Sequence, residues 1–281
     1  MNSNTANENS KMPGQAEFWD EFLKRDVSYL SRGAASIKKN SFYAQIFETN
    51  KKHVEFLRGG NILEVGCGDG MDSVALALDY GCTVTAIDIS EKRVRLAQEN
   101  IKKFNFEDRI TVRIGDANAL DFENEQFDGV IGNSVMLFLD HYRACSEISR
   151  VLKPGGRLVL TNESMPLSPL VKLSRKFGLS YRSRELESHV VERLTPGRID
   201  ELARKYFSGV DYTLNFGLLL QLFWGARLLF DKIGRLFRPG ASYHKPDLSC
   251  PAVFKRVDRY LVEEWPWYRN RAWVAAVCFE K

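Results

Sequence analysis

The residues best placed to do chemistry lie in Ile62-Leu63-Glu64-Val65-Gly66-Cys67-Gly68-Asp69-Gly70. An apolar run enters a glycine-rich turn and then a helical stretch. Glycines let the backbone approach a ligand where a Cβ would clash, and a helix N-terminus offers free N–H groups. The dinucleotide spacing G-x-G-x-x-G would need glycine at position 71, where Met71 stands, and the phosphate loop G-x-x-x-x-G-K-[ST] occurs nowhere in the chain. Glu64, two residues before the first glycine, would repel a pyrophosphate and suits a cationic ligand. Asp88, 22 residues after Gly66 in Ala86-Ile87-Asp88-Ile89-Ser90, can accept both hydroxyls of an unphosphorylated ribose. In Gly115-Asp116-Ala117 a further carboxylate can accept an exocyclic amine such as adenine's. A fourth apolar run, Phe127–Gly132, ends in Asn133-Ser134.

Each of these residues also has a plainer reading. The glycines serve a turn, Asp88 complements the dipole of the helix starting at Ser90-Glu91, Asp116 is a loop aspartate, and Asn133 is a short polar residue ending a strand. Cys67 reads as a small packed residue rather than a nucleophile. Candidate general bases are few. His189, in Glu187-Ser188-His189-Val190-Val191-Glu192, lies in a loop region after the fifth strand; His141 begins a helix after the fourth. Both also fit ordinary structural histidines.

The elements that must position these residues alternate. Asn61–Gly66, Cys82–Asp88, Ile110–Gly115, Phe127–Gly132 and Arg157–Thr161 read as strands, and Asp72–Tyr80, Glu91–Phe104 and His141–Leu152 as helices. Lys153-Pro154-Gly155-Gly156 stops the third helix. This spacing implies βαβ units and a doubly wound parallel sheet. Upstream, Phe18–Leu30 and Ser41–Leu57 read as two helices, on which Tyr29 and Tyr43 can cap a pocket. Downstream, Thr195–Tyr206 reads as a helix, Val210–Phe216 as a strand, Gly217–Trp267 as a helical insertion and Arg271–Glu280 as a buried last strand.

Together these segments resemble the class I S-adenosylmethionine-dependent methyltransferases, tightly from Gly60 to Asn162 and more loosely in the final strand. The resemblance implies a Rossmann-like α/β fold: a doubly wound, seven-stranded, mostly parallel sheet whose last strand is antiparallel. It also implies S-adenosylmethionine as cofactor. Glu64, Gly66, Cys67, Gly68 and Gly70 would hold its methionine moiety and Asp88 its ribose. Ile89 would pack on the adenine, with Asp116 at the adenine amine and Ala117 beside it. Asn133 and Ser134 would line the methionine and acceptor side. The sulfonium is already activated, so transfer needs mainly an acceptor held in line. An oxygen acceptor usually wants a base as well, for which His189 is the candidate.

The chain has 281 residues, 44% hydrophobic and 27% charged, which suits a large α/β domain with an insertion and excludes disordered, collagenous and low-complexity classes. The expected organisation is a polar tail over 1–15, cap helices over 16–58 and the catalytic domain over 59–281, with the insertion at 217–267. The polar start does not read as a signal peptide. Five scattered cysteines with no C-x-x-C pair argue against a disulfide framework or metal site and fit a reducing cytoplasm.

Charge divides the chain. Residues 1–164 carry 20 Lys and Arg against 24 Asp and Glu, whereas residues 165–281 carry 20 against 12. Leu218–Arg238 is amphipathic: Leu218, Leu222, Phe223, Phe230, Ile233 and Phe237 fall on one side, with Gln221, Arg227, Asp231, Lys232, Arg235 and Arg238 opposite and Leu220, Trp224 and Leu228 intruding on that polar side. Such a helix fits a bilayer interface and a lipid-like acceptor, or else packs on the sheet or a second subunit in a homodimer. Asn133-Ser134-Val135-Met136 replaces the Asn/Asp-Pro-Pro-aromatic run typical of nucleic-acid amine methylation, which argues against a nucleic-acid substrate. The expected activity is methyl transfer to a small-molecule or lipid-like acceptor, in the cytoplasm or peripheral to the membrane. The alternative is a catalytically silent, cofactor-binding regulator or scaffold.

Overall fold

The computed structural model describes residues 51–164, 189–215, 252–265, 267 and 274–281. The expected tail 1–15, the helix 18–30, most of 41–57 with Tyr29 and Tyr43, and the amphipathic segment 218–238 lie outside those residues. Within them, seven strands form one sheet: β1 (Asn61–Val65), β2 (Thr83–Asp88), β3 (Ile110–Ile114), β4 (Phe127–Asn133), β5 (Leu152–Ser164), β6 (Gly209–Asn215) and β7 (Val274–Glu280). Five helices accompany them: α1 (Met71–Tyr80), α2 (Glu91–Lys103), α3 (His141–Val151), α4 (Pro196–Tyr206) and α5 (Ala252–Glu264).

The strand order is β3-β2-β1-β4-β5-β7-β6. Strands β1 to β5 pair in parallel, while β7 runs antiparallel to both neighbours. The order reverses between β1 and β4, the switch point at which open α/β sheets bind ligands beyond the carboxyl ends of their strands.

Alternation along the strands sends side chains to two cores. Ile62, Val84, Ala86, Ile131 and Val159 meet Val74, Leu76, Ala97 and Ile101 of α1 and α2 on one face. Leu63, Val65, Ile87, Val130, Leu158 and Phe279 meet Ala144, Ile148, Ile199 and Leu202 of α3 and α4 on the other. Such near-continuous apolar strands are what a sheet covered on both faces requires.

Local chemistry sets the helix starts. Ser90 Oγ accepts the Arg93 amide at 3.2 Å to cap α2, and Asp140 accepts the Tyr142 and Arg143 amides to cap α3. Thr195 caps α4 with Pro196 in its first turn. Strand β5 is longer than its sequence suggests. It takes in Lys153-Pro154-Gly155-Gly156 because Leu152 already pairs with Phe127, and an irregularity between Phe127 and Gly129 restores the register at Arg157. Among the described residues, no helix is long and apolar enough to cross a membrane.

Candidate functional site

The carboxyl ends of β1, β2, β3 and β4 gather the residues singled out by sequence. After Val65 the chain leaves β1, and the Gly66 and Cys67 amides donate to the Ile87 carbonyl at 2.8 and 3.0 Å. The turn thus remains anchored on β2. Gly66, Gly68 and Gly70 all adopt positive φ, at 71°, 56° and 75°. A Cβ at Gly66 would stand 2.7 Å from Val135 Cγ2, and one at Gly70 would stand 2.8 Å from Ala97 Cβ. The demand for glycine therefore arises first inside the protein. Val135, from the exit of β4, wedges against the turn, and α2 presses on the start of α1.

Asp88 is buried and ends β2. Its Oδ2 accepts the Gly68 amide at 2.9 Å and its Oδ1 accepts the Ser90 amide at 2.9 Å. It therefore locks the glycine turn to the start of α2, and its helix-side bond agrees with the plainer reading as well. Ile89, half-buried, follows at once.

Glu64 is fully enclosed, and the Ser73 hydroxyl donates to its Oε2. Burial is the main cause holding its carboxyl well above the usual range, reinforced by the like charges of Asp72, Asp69 and Asp88, while Ser73 opposes. Asp72, also buried, accepts the Asn133 side-chain amide at 2.6 Å, which ties β4 to the first turn of α1. Ser134 follows with φ 56°, a left-handed conformation unusual for a residue with a Cβ, and its amide donates to the Thr161 carbonyl at 2.9 Å.

Beyond β3, Asp116 Oδ1 accepts from both the backbone and side-chain N–H groups of Asn118, at 2.8 and 3.1 Å. Its Oδ2 is buried without a hydrogen-bond partner among the described residues. A buried carboxylate oxygen left without a donor is costly unless a ligand supplies one. Ala117 packs beside it, buried.

Four carboxylates (Glu64, Asp69, Asp72 and Asp88) thus surround one glycine turn, with an acceptor atom waiting at Asp116. The arrangement suits a cationic ligand carrying vicinal hydroxyls and an amine. Cys67 is buried, and its thiol is pushed well up by that burial and by Asp88 and Glu64, which makes it a packed residue and no nucleophile.

The histidines lie elsewhere. His141 is buried at the start of α3, with Nε2 3.0 Å from the Met136 carbonyl and Nδ1 3.4 Å from Glu192 Oε2; burial lowers its pKa despite Glu192. It braces the β4 exit from within. His189 opens the loop over 189–195, whose Val191 amide donates to the Leu137 carbonyl at 2.8 Å. The loop is clamped by Arg198, which donates to Glu192 at 2.7 Å and Glu201 at 2.9 Å and also bonds Tyr142. An open groove of about 590 Å³, bordered by Asn118, Leu120, Tyr142, Arg143, Glu147 and Tyr206, touches the site through Asn118.

Sequence reasoning missed Asp72, Ser73, Asn118 and Val135. Asp72 and Ser73 carried a signal, since polar side chains opening a helix directly after a strand turn face its carboxyl end. Val135 carried none.

Residues 63–160 match the family model described as "Methyltransferase domain". A demethylmenaquinone methyltransferase of Lactiplantibacillus plantarum is 35% identical over 122 residues, covering 42% of this chain and 52% of that protein. The 27-O-demethylrifamycin SV methyltransferase of Amycolatopsis mediterranei is 34% identical over 112 residues, covering 40% and 41%. The chain therefore spans about half the length of the curated relatives it matches. Among solved structures, the geranyl diphosphate C-methyltransferase of Streptomyces coelicolor superposes with a TM-score of 0.54 at 16% identity, over 97% of this chain and 99% of that one. That likeness bears on the fold.

Proposed function

We propose, from the match of residues 63–160 to a methyltransferase-domain model and from the site described above, that the chain is a class I S-adenosylmethionine-dependent methyltransferase that transfers the cofactor's methyl group to a small-molecule or lipid-like acceptor. The observation that carries the reading is a buried Glu64 at the glycine turn together with Asp116 Oδ2, buried without a hydrogen-bond partner among the described residues. The first supplies a negative charge once a cation arrives, and the second supplies an acceptor for an amine.

In this reading Glu64 and the turn residues Gly66, Cys67, Gly68 and Gly70 hold the methionine end, with Asn133 oriented by its bond to Asp72. Asp88 accepts the ribose hydroxyls, Ile89 and Ala117 flank the adenine, and Asp116 Oδ2 accepts its amine. When bound, S-adenosylmethionine supplies a methyl group already activated on a sulfonium, so the protein's contribution is alignment and exclusion of water. Asn133 and Ser134 stand where β4 opens toward the acceptor, and the clamped loop carrying His189 closes that side. His189 takes the acceptor proton where the acceptor is a hydroxyl. A cytoplasmic enzyme touching the membrane through 218–238, alone or as a homodimer, would reach a lipid-like acceptor; the amphipathic pattern of that segment supports this placement.

The test is turnover. Incubated with S-adenosylmethionine and fractionated lipid and small-molecule extracts, the protein is expected to accumulate S-adenosylhomocysteine with at least one fraction. Cofactor binding with no product in any fraction would contradict transfer and favour the cofactor-binding scaffold.

A further inference from the structure

Helix α5 lies against β6 on its inner side, where Asp258 is buried and Leu261 packs on the core. Its outer side is unusual. Val253, Val257 and Tyr260, spaced to form one stripe, are 62%, 43% and 59% exposed. Immediately beyond the helix, Trp265 and Trp267 flank Pro266 and are 55% and 58% exposed. Arg256 and Arg259 are exposed on the flank of the stripe; Glu264 is exposed at its end. A contiguous apolar and aromatic patch rimmed by charge marks an interaction surface.

Three features choose among occupants. Tyrosine and tryptophan beside arginine is the composition of membrane-interface belts, where an amphipathic ring sits at headgroup level and a guanidinium meets phosphate. The patch is on the order of a few hundred Å², well short of the ~800 Å² per partner of a stable protein interface, so a second copy of this chain is a poor match. The half of the chain that bears it carries 20 Lys and Arg against 12 Asp and Glu, complementary to an anionic surface. We propose that the outer face of α5, with Trp265 and Trp267, docks on an anionic lipid bilayer. The helix then lies in the plane of the headgroups, Arg256 and Arg259 toward lipid phosphates. This contact is separate from the segment 218–238 and independent of methyl transfer, so its failure would leave the proposed activity standing.

The experiment is co-sedimentation of the full chain, without cofactor, with vesicles of phosphatidylcholine alone or mixed equally with phosphatidylglycerol, at low and high salt. The parent is expected to bind the mixed vesicles at low salt and release at high salt. W265S/W267S should weaken binding at least ~10-fold while the circular-dichroism spectrum stays that of the parent, and R256E/R259E should remove the preference for anionic lipid. If a variant fails to fold, brominated lipid replaces it: with Trp224 changed to Phe in the otherwise parent chain, the tryptophan emission should be quenched on mixed vesicles. The proposal is overturned if the parent ignores mixed vesicles or that emission is unquenched. It is equally overturned if W265S/W267S binds like the parent, or if light scattering shows these substitutions breaking a dimer while vesicle binding never occurs.

Discussion

The ends of β1 to β3 and the segment beyond β5 are both held in place near the switch point of the sheet, but by different means. At the glycine turn the donors are backbone amides: Gly66 and Cys67 to the Ile87 carbonyl, and Gly68 and Ser90 to the one side chain of Asp88. Beyond β5, the loop over 189–195 is held by side chains, with Arg198 bridging Glu192, Glu201 and Tyr142. Backbone amides do not change when residues are exchanged, so the first region depends on a single side chain, Asp88. Side-chain clamps change with single substitutions, so the second can be reshaped without disturbing the first.

The sharpest way to break that contrast is at its shared hub. Asp88→Ala should weaken S-adenosylmethionine binding at least ~100-fold by calorimetry. Because both oxygens of Asp88 already satisfy amides, it should also lower stability by about 1–3 kcal/mol. Unchanged affinity would remove Asp88 from the cofactor site. Next in size is Gly66→Ala, which combines a positive φ with the Val135 contact; a loss of about 2–4 kcal/mol in urea denaturation is expected, with the strained backbone as one part and the displaced side chain as the other. A loss below 1 kcal/mol would mean that Val135 yields freely.

Glu64 sharpens the comparison through pH. Its folded pKa is raised, so the free protein retains a proton there that the unfolded chain releases, and stability falls as pH rises through the ordinary carboxylate range toward the folded value. A cationic cofactor would expel that proton. Glu64→Gln should therefore leave the free protein as stable or more stable at neutral pH while weakening cofactor binding about tenfold or more. On the other side, Arg198→Ala should lower kcat/KM for the acceptor roughly 3- to 30-fold through loss of loop alignment, with cofactor affinity unchanged. An equal loss in both would erase the proposed division of labour.

The smallest effect concerns His53, buried with neither ring nitrogen hydrogen-bonded among the described residues and its pKa lowered chiefly by burial. The unfolded chain takes up its proton first, so stability should fall as pH drops below about 6.5. His53→Phe should flatten part of that slope in thermal melts between pH 5 and 7, whereas an unaltered slope would assign it elsewhere, His141 included.

The alternating strands and helices were legible because a sheet covered on both faces leaves apolar runs punctuated by Gly and Asp. Glu64, Asp88 and Asp116 were legible because they stand at or within two residues of the carboxyl ends of β1, β2 and β3. Two kinds of feature were not. The glycines' steric demand comes from Val135 and Ala97, contacts between distant segments that no local spacing encodes. Likewise, the extension of β5 through Pro154 and Gly155 follows from pairing with β4, where tertiary register overrides residues that read as a turn.

The central claim is a cationic, adenosine-bearing cofactor received by Glu64 and Asp116. Calorimetric titration with S-adenosylmethionine, repeated in buffers of different ionisation enthalpy and with NAD as control, tests it most directly. The account predicts micromolar binding of S-adenosylmethionine alone, with proton release that disappears in Glu64→Gln. Absence of heat with S-adenosylmethionine, or equal binding of NAD, would contradict it.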